Sequence, residues 1–263
     1  RKLTLKAGSW DNYRTELDVS GKLTQSGNVR GRFVASNTDS QSYVDRQSLE
    51  RQVAYGVLEW DITDSTMLTA GAEYQEMDND GAGNHGFPMF NSDGSHFSPS
   101  RAFNSASDWS YHKRRTKTVF TTLEHQLDNG WQLKLNAEHS RRSYDDAFAT
   151  AASGTVKPDG SGISTWTGRW AGEPRQTSFD LSASGPFALL SREHQAYLGA
   201  SHYAPTTATT VTHCGRSRPS TTFTPGTVRW RYQTPSMPSP RKTRWMKPRT
   251  AWWLRYAGAW PMT

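Results

Sequence analysis

The stretch Ala54-Tyr55-Gly56-Val57-Leu58-Glu59-Trp60-Asp61-Ile62, followed after a short turn by Thr66-Met67-Leu68-Thr69-Ala70-Gly71-Ala72-Glu73-Tyr74-Gln75, decides the fold. Ala54, Gly56, Leu58, Trp60 and Ile62 fall on every second position, with Glu59 and Asp61 between them. Leu68, Ala70, Ala72 and Tyr74 repeat the pattern against Thr69, Glu73 and Gln75. A period of two is the mark of a strand with one apolar and one polar face. Two such runs joined at 63–66 read as a hairpin.

The pattern extends outward in both directions. Upstream it is carried by Leu3, Leu5 and Ala7, by Leu17 and Val19, and by Val29, Gly31, Phe33 and Ala35. Downstream it is carried by Val119, Thr121 and Leu123, by Trp131, Leu133, Leu135 and Ala137, and by Phe179, Leu181 and Ala183. A weaker run near 194–202 makes a ninth strand. The runs are long enough for a tilted strand to cross a bilayer, which takes roughly 9–11 residues.

The connections separate a barrel from a soluble sandwich. A short turn at 24–28 is followed by a long loop at 37–50, a short turn at 63–66 and a very long loop at 78–113. Then come the hairpin signal Asp128-Asn129-Gly130, a long loop at 144–176 and a short connection at 186–193. Short and long alternate, so the long loops share one end, as in an outer-membrane barrel. The opening hairpin at 9–12 is the short exception on that end. Trp10, Tyr13, Trp60, Tyr74 and Trp131 stand near strand ends, where barrels place aromatic girdles; turn-capping aromatics would look the same one at a time. Arg30, Arg32, Glu59, Asp61, Glu73, Lys134 and Glu138 fall on the polar face, where a wet lumen or plain solvent suits them equally.

Composition narrows the class. Of 263 residues, 34% are hydrophobic and 12% aromatic, with 11 Trp, which is lean for an ordinary domain and too aromatic for a disordered one. No run approaches the 18 apolar residues of a membrane-spanning helix. The single Cys, Cys214, excludes a disulfide framework and a Cys-based zinc site. The opening at Arg1 shows no secretory leader, so a mature chain or a piece of one is expected. The net charge of +7 is unevenly spread. Residues 1–202 carry 21 Lys and Arg against all 24 Asp and Glu, whereas 203–263 carry 10 cations and no acid. That second segment also holds 8 of the 13 Pro and 5 of the 11 Trp, and it keeps no period. It reads as out-of-frame text or as disordered tail, with a Pro/Thr-rich linker and a basic nucleic-acid arm as the other readings. Two segments are therefore expected: 1–202, a β-meander, and 203–263, a basic Pro/Thr/Trp-rich tail.

The residues also carry a resemblance. Gly8-Ser9-Trp10-Asp11-Asn12-Tyr13-Arg14, then Glu16 to Thr24, then Ser26 to Arg32, resemble the start of the barrel of TonB-dependent siderophore receptors. Tyr55 to Asp61 with Thr66 to Gln75 resembles the next hairpin. Leu123-Glu124-His125 with Asn129-Gly130-Trp131, and Ser184-Gly185-Pro186-Phe187 with Arg192-Glu193-His194, continue the series. The likeness is nearest to receptors for ferric pyoverdine-type and hydroxamate siderophores, and it covers about 1–202. It implies an all-β fold: a partial antiparallel up-and-down transmembrane barrel, about nine strands of a 22-stranded family barrel, with the plug domain absent. It implies the outer membrane of a Gram-negative cell and uptake powered by TonB–ExbB–ExbD through an N-terminal region not present here. Such a piece alone is not expected to transport.

The ligand implied is a ferric siderophore, so iron arrives already chelated and the protein itself needs no bound cofactor. A large chelate would be caught by outer-loop aromatics, which offer rigid contact area, and by Arg, which stacks and pairs. Phe87, Phe90, Arg101, Trp109 and Tyr111 on 78–113, with Trp166, Arg169 and Trp170 on 144–176, are the candidates. The bland reading is that these aromatics pack the loops on themselves, as long ordered loops require.

Enzymatic readings find no footing. The His are scattered, Ser-His-Asp sets lack a nucleophile elbow, and Glu193-His194 is not a zinc-protease motif. Asp78-Asn79-Asp80-Gly81 lacks the Glu that closes a calcium loop and reads as a turn. Two classes remain: an outer-membrane receptor with outer-membrane lipid as its surroundings and no nucleic-acid partner, or a secreted β-rich carbohydrate-binding or hydrolase module. A sandwich of the second kind would cover its apolar face with a second sheet.

Overall fold

The computed structural model describes residues 1–83, 86–157, 161–206, 209–214 and 251–257; most of 203–263 lies outside the described residues. No helix is present among them. The strands are β1 (Lys2–Gly8), β2 (Asn12–Lys22), β3 (Val29–Gln41), β4 (Ser48–Thr63), β5 (Thr66–Asp80) and β6 (Tyr111–Gln126). They continue as β7 (Gln132–Gly154), β8 (Ile163–Gly172), β9 (Arg175–Leu189), β10 (Arg192–Thr206), β11 (Thr209–Cys214) and β12 (Ala251–Ala257). All pairing between the strands is antiparallel in one open sheet, ordered β1 to β7, then β9, β10 and β12.

β8 and β9 act as one strand. β9 pairs with the Gln132–Arg141 half of β7, and β8 pairs with the Tyr144–Gly154 half. The break is Glu173-Pro174, where Pro cannot donate to a ladder, although its carbonyl accepts the Arg142 N–H at 2.9 Å. β10 and β11 continue each other in the same way along β9 and β8. The expected nine strands are thus found by Cys214, and β12 adds a tenth.

Three connections differ from expectation. The loop expected at 37–50 shrinks to 42–47, because β3 and β4 pair as far as Gln41 and Ser48. The loop expected at 144–176 is mostly a hairpin, β7 extended and β8, paired as far as Gly154 and Ile163. The connection expected at 186–193 is a two-residue turn in which Leu190 and Ser191 both have positive φ, 52° and 61°. The cause is common to all three. In each, hydrogen bonding between the strands continues past the point where strict apolar/polar alternation ends. The faint calcium-loop stretch is the end of β5, with Gly81 as the turn. β10 runs on to Thr206, and β11 and β12 are drawn from the segment read as tail.

The loop asymmetry survives these changes. Gln41, Ser48, Asp80, Tyr111 and Ala147 lie in one register row, so 42–47, the loop 81–110 and the β7–β8 hairpin share an end. The opening turn lies there too, with Gln41 N–H donating to the Trp10 carbonyl at 2.8 Å.

The two faces have different chemistry. One row of side chains along the register reads Val29, Trp60, Leu68, Leu123, Leu135, Leu181 and Ala200. Most large apolar residues on this face are exposed, Leu58 by 50% and Leu181 by 56%. No second layer covers them among the described residues. The other face is polar and cross-linked. Arg30 pairs with Glu59 at 3.2 Å and with Asp61 at 3.0 Å, Arg32 with Asp18 at 2.6 Å, and Lys134 with Glu124 at 2.6 Å. Tyr55 and Phe120 stack on it with centroids 6.2 Å apart.

Among the described residues, a conventional core is found only at the long-loop end. The buried apolar residues are Ala82, Ala106, Ala147, Phe148, Ala149, Val156 and Ile163. They lie where the loop 81–110 packs on the β7–β8 hairpin.

Candidate functional site at the loop rim

Position in the strand decides which face each rim residue takes. On β7, Leu133, Leu135 and Ala137 belong to the apolar face, so odd positions continue that face upward and even positions continue the polar one. Tyr144, Asp146 and Phe148 are therefore on the polar side. Their register partners His112, Arg114, Gly168 and Trp170 join them. Trp166 lies two residues further along β8.

The result is a compact aromatic and ionic patch. Phe148 is fully buried and packs on Trp166 and Trp170, with centroids at 5.4 and 4.8 Å; the two indoles are 5.6 Å apart. Gly168 lies beneath Phe148, and the absence of a side chain there admits the ring. One step along, Asp146 is buried between His112 Nδ1 at 3.1 Å and the Arg114 guanidinium, whose Nη2 donates to it at 2.8 Å. Arg114 also lies 5.8 Å from the Tyr144 ring centroid. Tyr144 covers Gly172, where a Cβ would come within 2.6 Å of the ring.

The other candidates fall elsewhere. Tyr111 and Arg169 are on the opposite face, joined by Asp145. Arg169 donates to Asp145 through Nε at 2.9 Å and Nη2 at 2.6 Å, and the Tyr111 hydroxyl donates to it at 3.3 Å. The Arg169 hydrogen bonds hold the Asp145 carboxyl below the usual range, against an opposing effect of burial. Burial first, then the Asp145 charge, raises the Tyr111 phenol. Lys113 is raised by its hydrogen bond to Asp78 at 2.9 Å.

On the loop, Phe87 packs with Phe97 and Phe103 at 5.0 and 5.3 Å, and Phe90 lies 4.8 Å from the His96 ring. Arg101 and Trp109 are exposed. The structure therefore unites Trp166 with Trp170, and Tyr111 with Arg169, but not all eight candidates. His112, Arg114, Tyr144, Asp146 and Phe148 are not among the sequence candidates, and the register adds them to the patch. The signal was available in principle as strand parity through 144–148, but a loop assignment hides parity.

The loop itself is pinned from two sides. Asn104 Nδ2 donates to the Asp45 carbonyl at 2.7 Å and to the Gly81 carbonyl at 2.9 Å, and its Oδ1 accepts the Ala106 N–H at 2.8 Å. Arg46 Nη2 donates to the Asn104 and Ala106 carbonyls at 3.0 and 2.9 Å. On the other side Ser92 N–H donates to the Val156 carbonyl at 2.8 Å. Among the described residues no group of three or more potential metal ligands occurs.

Known proteins share this sheet. A ferripyoverdine receptor of Pseudomonas aeruginosa is 44% identical over 198 residues, covering 75% of this chain and 24% of that protein. A ferric-pyoverdine BN7/BN8 receptor of Pseudomonas putida is 42% identical over 197 residues, again 75% and 24%. The crystal structure of the P. aeruginosa outer-membrane ferripyoverdine receptor bound to ferripyoverdine superposes with a TM-score of 0.79 at 37% identity, covering 95% of this chain and 32% of that one. The chain is homologous to the TonB-dependent siderophore receptors.

It spans about a quarter of the length of these receptors, and its sheet matches part of their barrel. The relatives are transport receptors of the outer membrane of Gram-negative bacteria. A ferric-catecholate import receptor from E. coli K12, at 15% identity and a TM-score of 0.67, shares the fold alone. No family model matches the chain.

Proposed function

We propose that this sheet forms part of the binding rim of an outer-membrane receptor for a ferric siderophore of the pyoverdine class. The observation that supports it is the Phe148–Trp166–Trp170 cluster beside the Arg114–Tyr144 and His112–Asp146 pairs. Aromatic surface and a guanidinium stand together on the polar face at the long-loop end, where a bulky, polar, aromatic chelate would enter. Trp170, Trp166, Arg114 and Tyr144 make the main contacts. Phe87, Phe90, Arg101 and Trp109 reach the ligand from the loop, and Tyr111 and Arg169 brace the hairpin from its other face. No covalent step is involved, and the metal stays with its chelator as cargo. Transport is driven from the inner membrane by TonB–ExbB–ExbD acting on the region that the family places before the barrel.

The segment boundary near 202 belongs to the same reading. The matched relatives align over 197 and 198 residues, close to the length of 1–202. The remainder is read as out-of-frame text, which the gene sequence tests: a one-base shift near codon 201 restores alternating strands. The binding reading is tested by titrating the full-length receptor with ferric pyoverdine and following tryptophan quenching. Saturable quenching supports it, and its absence with a range of ferric siderophores removes it.

A further inference from the structure

The register sets three cations in a row on the apolar side of the sheet. Lys117 is directly opposite Arg141, and Arg141 is directly opposite Arg175. Directly paired residues share a face, and like charges placed so repel. The offset from protein acids is small. Glu173 Oε2 lies 2.6 Å from Arg141 and 3.8 Å from Arg175, with all three side chains about half exposed. Exposed pairs of this kind contribute little. Lys117 Nζ stands 5.6 Å over the Tyr74 ring, which attracts the charge without neutralising it. The sheet thus keeps a repulsive row with one carboxylate for three cations.

Its height in the fold shows what completes it. Two residues from Lys117 is Val119, and four residues from Arg175 is Phe179; these are 56% and 47% exposed on the lipid-facing side. His139, bonded to Thr177 Oγ1 at 2.8 Å, lies between the belt and the row. The cations therefore stand at the upper rim of the apolar belt, toward the long-loop end, at headgroup level. Neighbouring strands are roughly 4.8 Å apart, so the row spans roughly 10 Å, and long cationic side chains at that depth attract anionic headgroups. We infer that Lys117, Arg141 and Arg175 form a docking site for a phosphate-bearing lipid headgroup of the outer leaflet. The inference rests on the placement of the barrel in the membrane and not on the siderophore reading.

The test uses the full-length receptor in nanodiscs of phosphatidylcholine with and without phosphatidic acid, reading retained lipid by mass spectrometry of the intact complex. Each cation contributes about fivefold, so the triple variant K117Q/R141Q/R175Q loses retention of phosphatidic acid by roughly a hundredfold at low salt. Glu173→Gln, which removes the competing carboxylate, raises retention. Heat-modified mobility on gels reports that the variants are folded, and ferric-siderophore binding is unchanged in them. Equal retention by the folded wild type and triple variant overturns the assignment. Displacement of the lipid by millimolar inorganic phosphate also overturns it, since the row would then be a site for free anions.

Discussion

Gly81 and Arg46 meet back to back at the base of the long loop, both in the left-handed region with φ of 65° and 64°, and a Cβ on Gly81 would stand 2.1 Å from the Arg46 carbonyl oxygen. Only Gly takes that conformation and that approach at low cost. Through Arg46 Nη2 and Asn104 the contact joins the loop 81–110 to 42–47. Gly81→Ala is expected to displace Arg46 and cost about 1–3 kcal/mol of local stability. Limited proteolysis checks it: cleavage within 81–110 speeds up, while the belt strands stay protected.

Face assignment makes a paired prediction. Leu135 is on the apolar face, and its neighbour Asn136 is on the polar face, accepting from Thr122 Oγ1 at 2.9 Å and lying opposite Asp180. Leu135→Arg places a charge in hydrocarbon and costs about 2–4 kcal/mol at mid-depth. Asn136→Arg gains Asp180 as a partner and stays within about 0.5 kcal/mol. Assembly yield in the outer membrane, read as heat-modifiable barrel, separates the two; equal losses would mean that the face assignment is wrong.

The rim patch predicts an order of binding effects. Trp170→Ala is expected to weaken ferric-siderophore binding by at least about 2 kcal/mol, roughly thirtyfold, as buried aromatic anchors do. Arg114→Gln leaves the Phe148 packing intact and lowers affinity in the same direction, which distinguishes lost contact from a loosened hairpin. Tyr111→Phe, on the other face, leaves affinity unchanged. Equilibrium titration of the full-length variants gives the ranking.

The strands of the belt were legible because hydrocarbon outside and water inside force strict alternation, as in Leu133, Leu135 and Ala137 against Lys134 and Asn136. Above the belt that force ends. Ser36 to Gln41 and Tyr144 to Gly154 pair into ladders without a strict alternation of apolar and polar residues, so they read as loops. The site suffered from this directly. Composition alone points to Trp166 and Trp170 as candidates, whereas Arg114 and Tyr144 join them only through the register that sets those two opposite each other. Glu173-Pro174 marked a boundary in the sequence, but not that β8 and β9 continue one line.

The Asp145–Arg169 pair gives the rim a sensitivity to acid. It lies beyond the apolar belt, and the Arg169 hydrogen bonds hold the Asp145 carboxyl below its ordinary value. A carboxyl with a depressed folded-state pKa contributes stability that is fully present above its unfolded pKa, about 4. That contribution is lost as pH falls through the lower, folded value. The β7–β8 hairpin is therefore expected to hold at neutral pH and to loosen only below about pH 4, as Asp145 takes a proton and releases Arg169. Both groups are partly exposed, 48% for Arg169 and 34% for Asp145, so solvent screening keeps the effect small and high salt reduces it further. Arg169→Gln removes the principal cause of the shift. In that variant the hairpin is less protected at neutral pH, and the remaining acid-dependent loss is smaller and is complete at a higher pH. Amide exchange across 144–172 as a function of pH measures both; an unchanged pH profile in Arg169→Gln would show that the pair does not set the response.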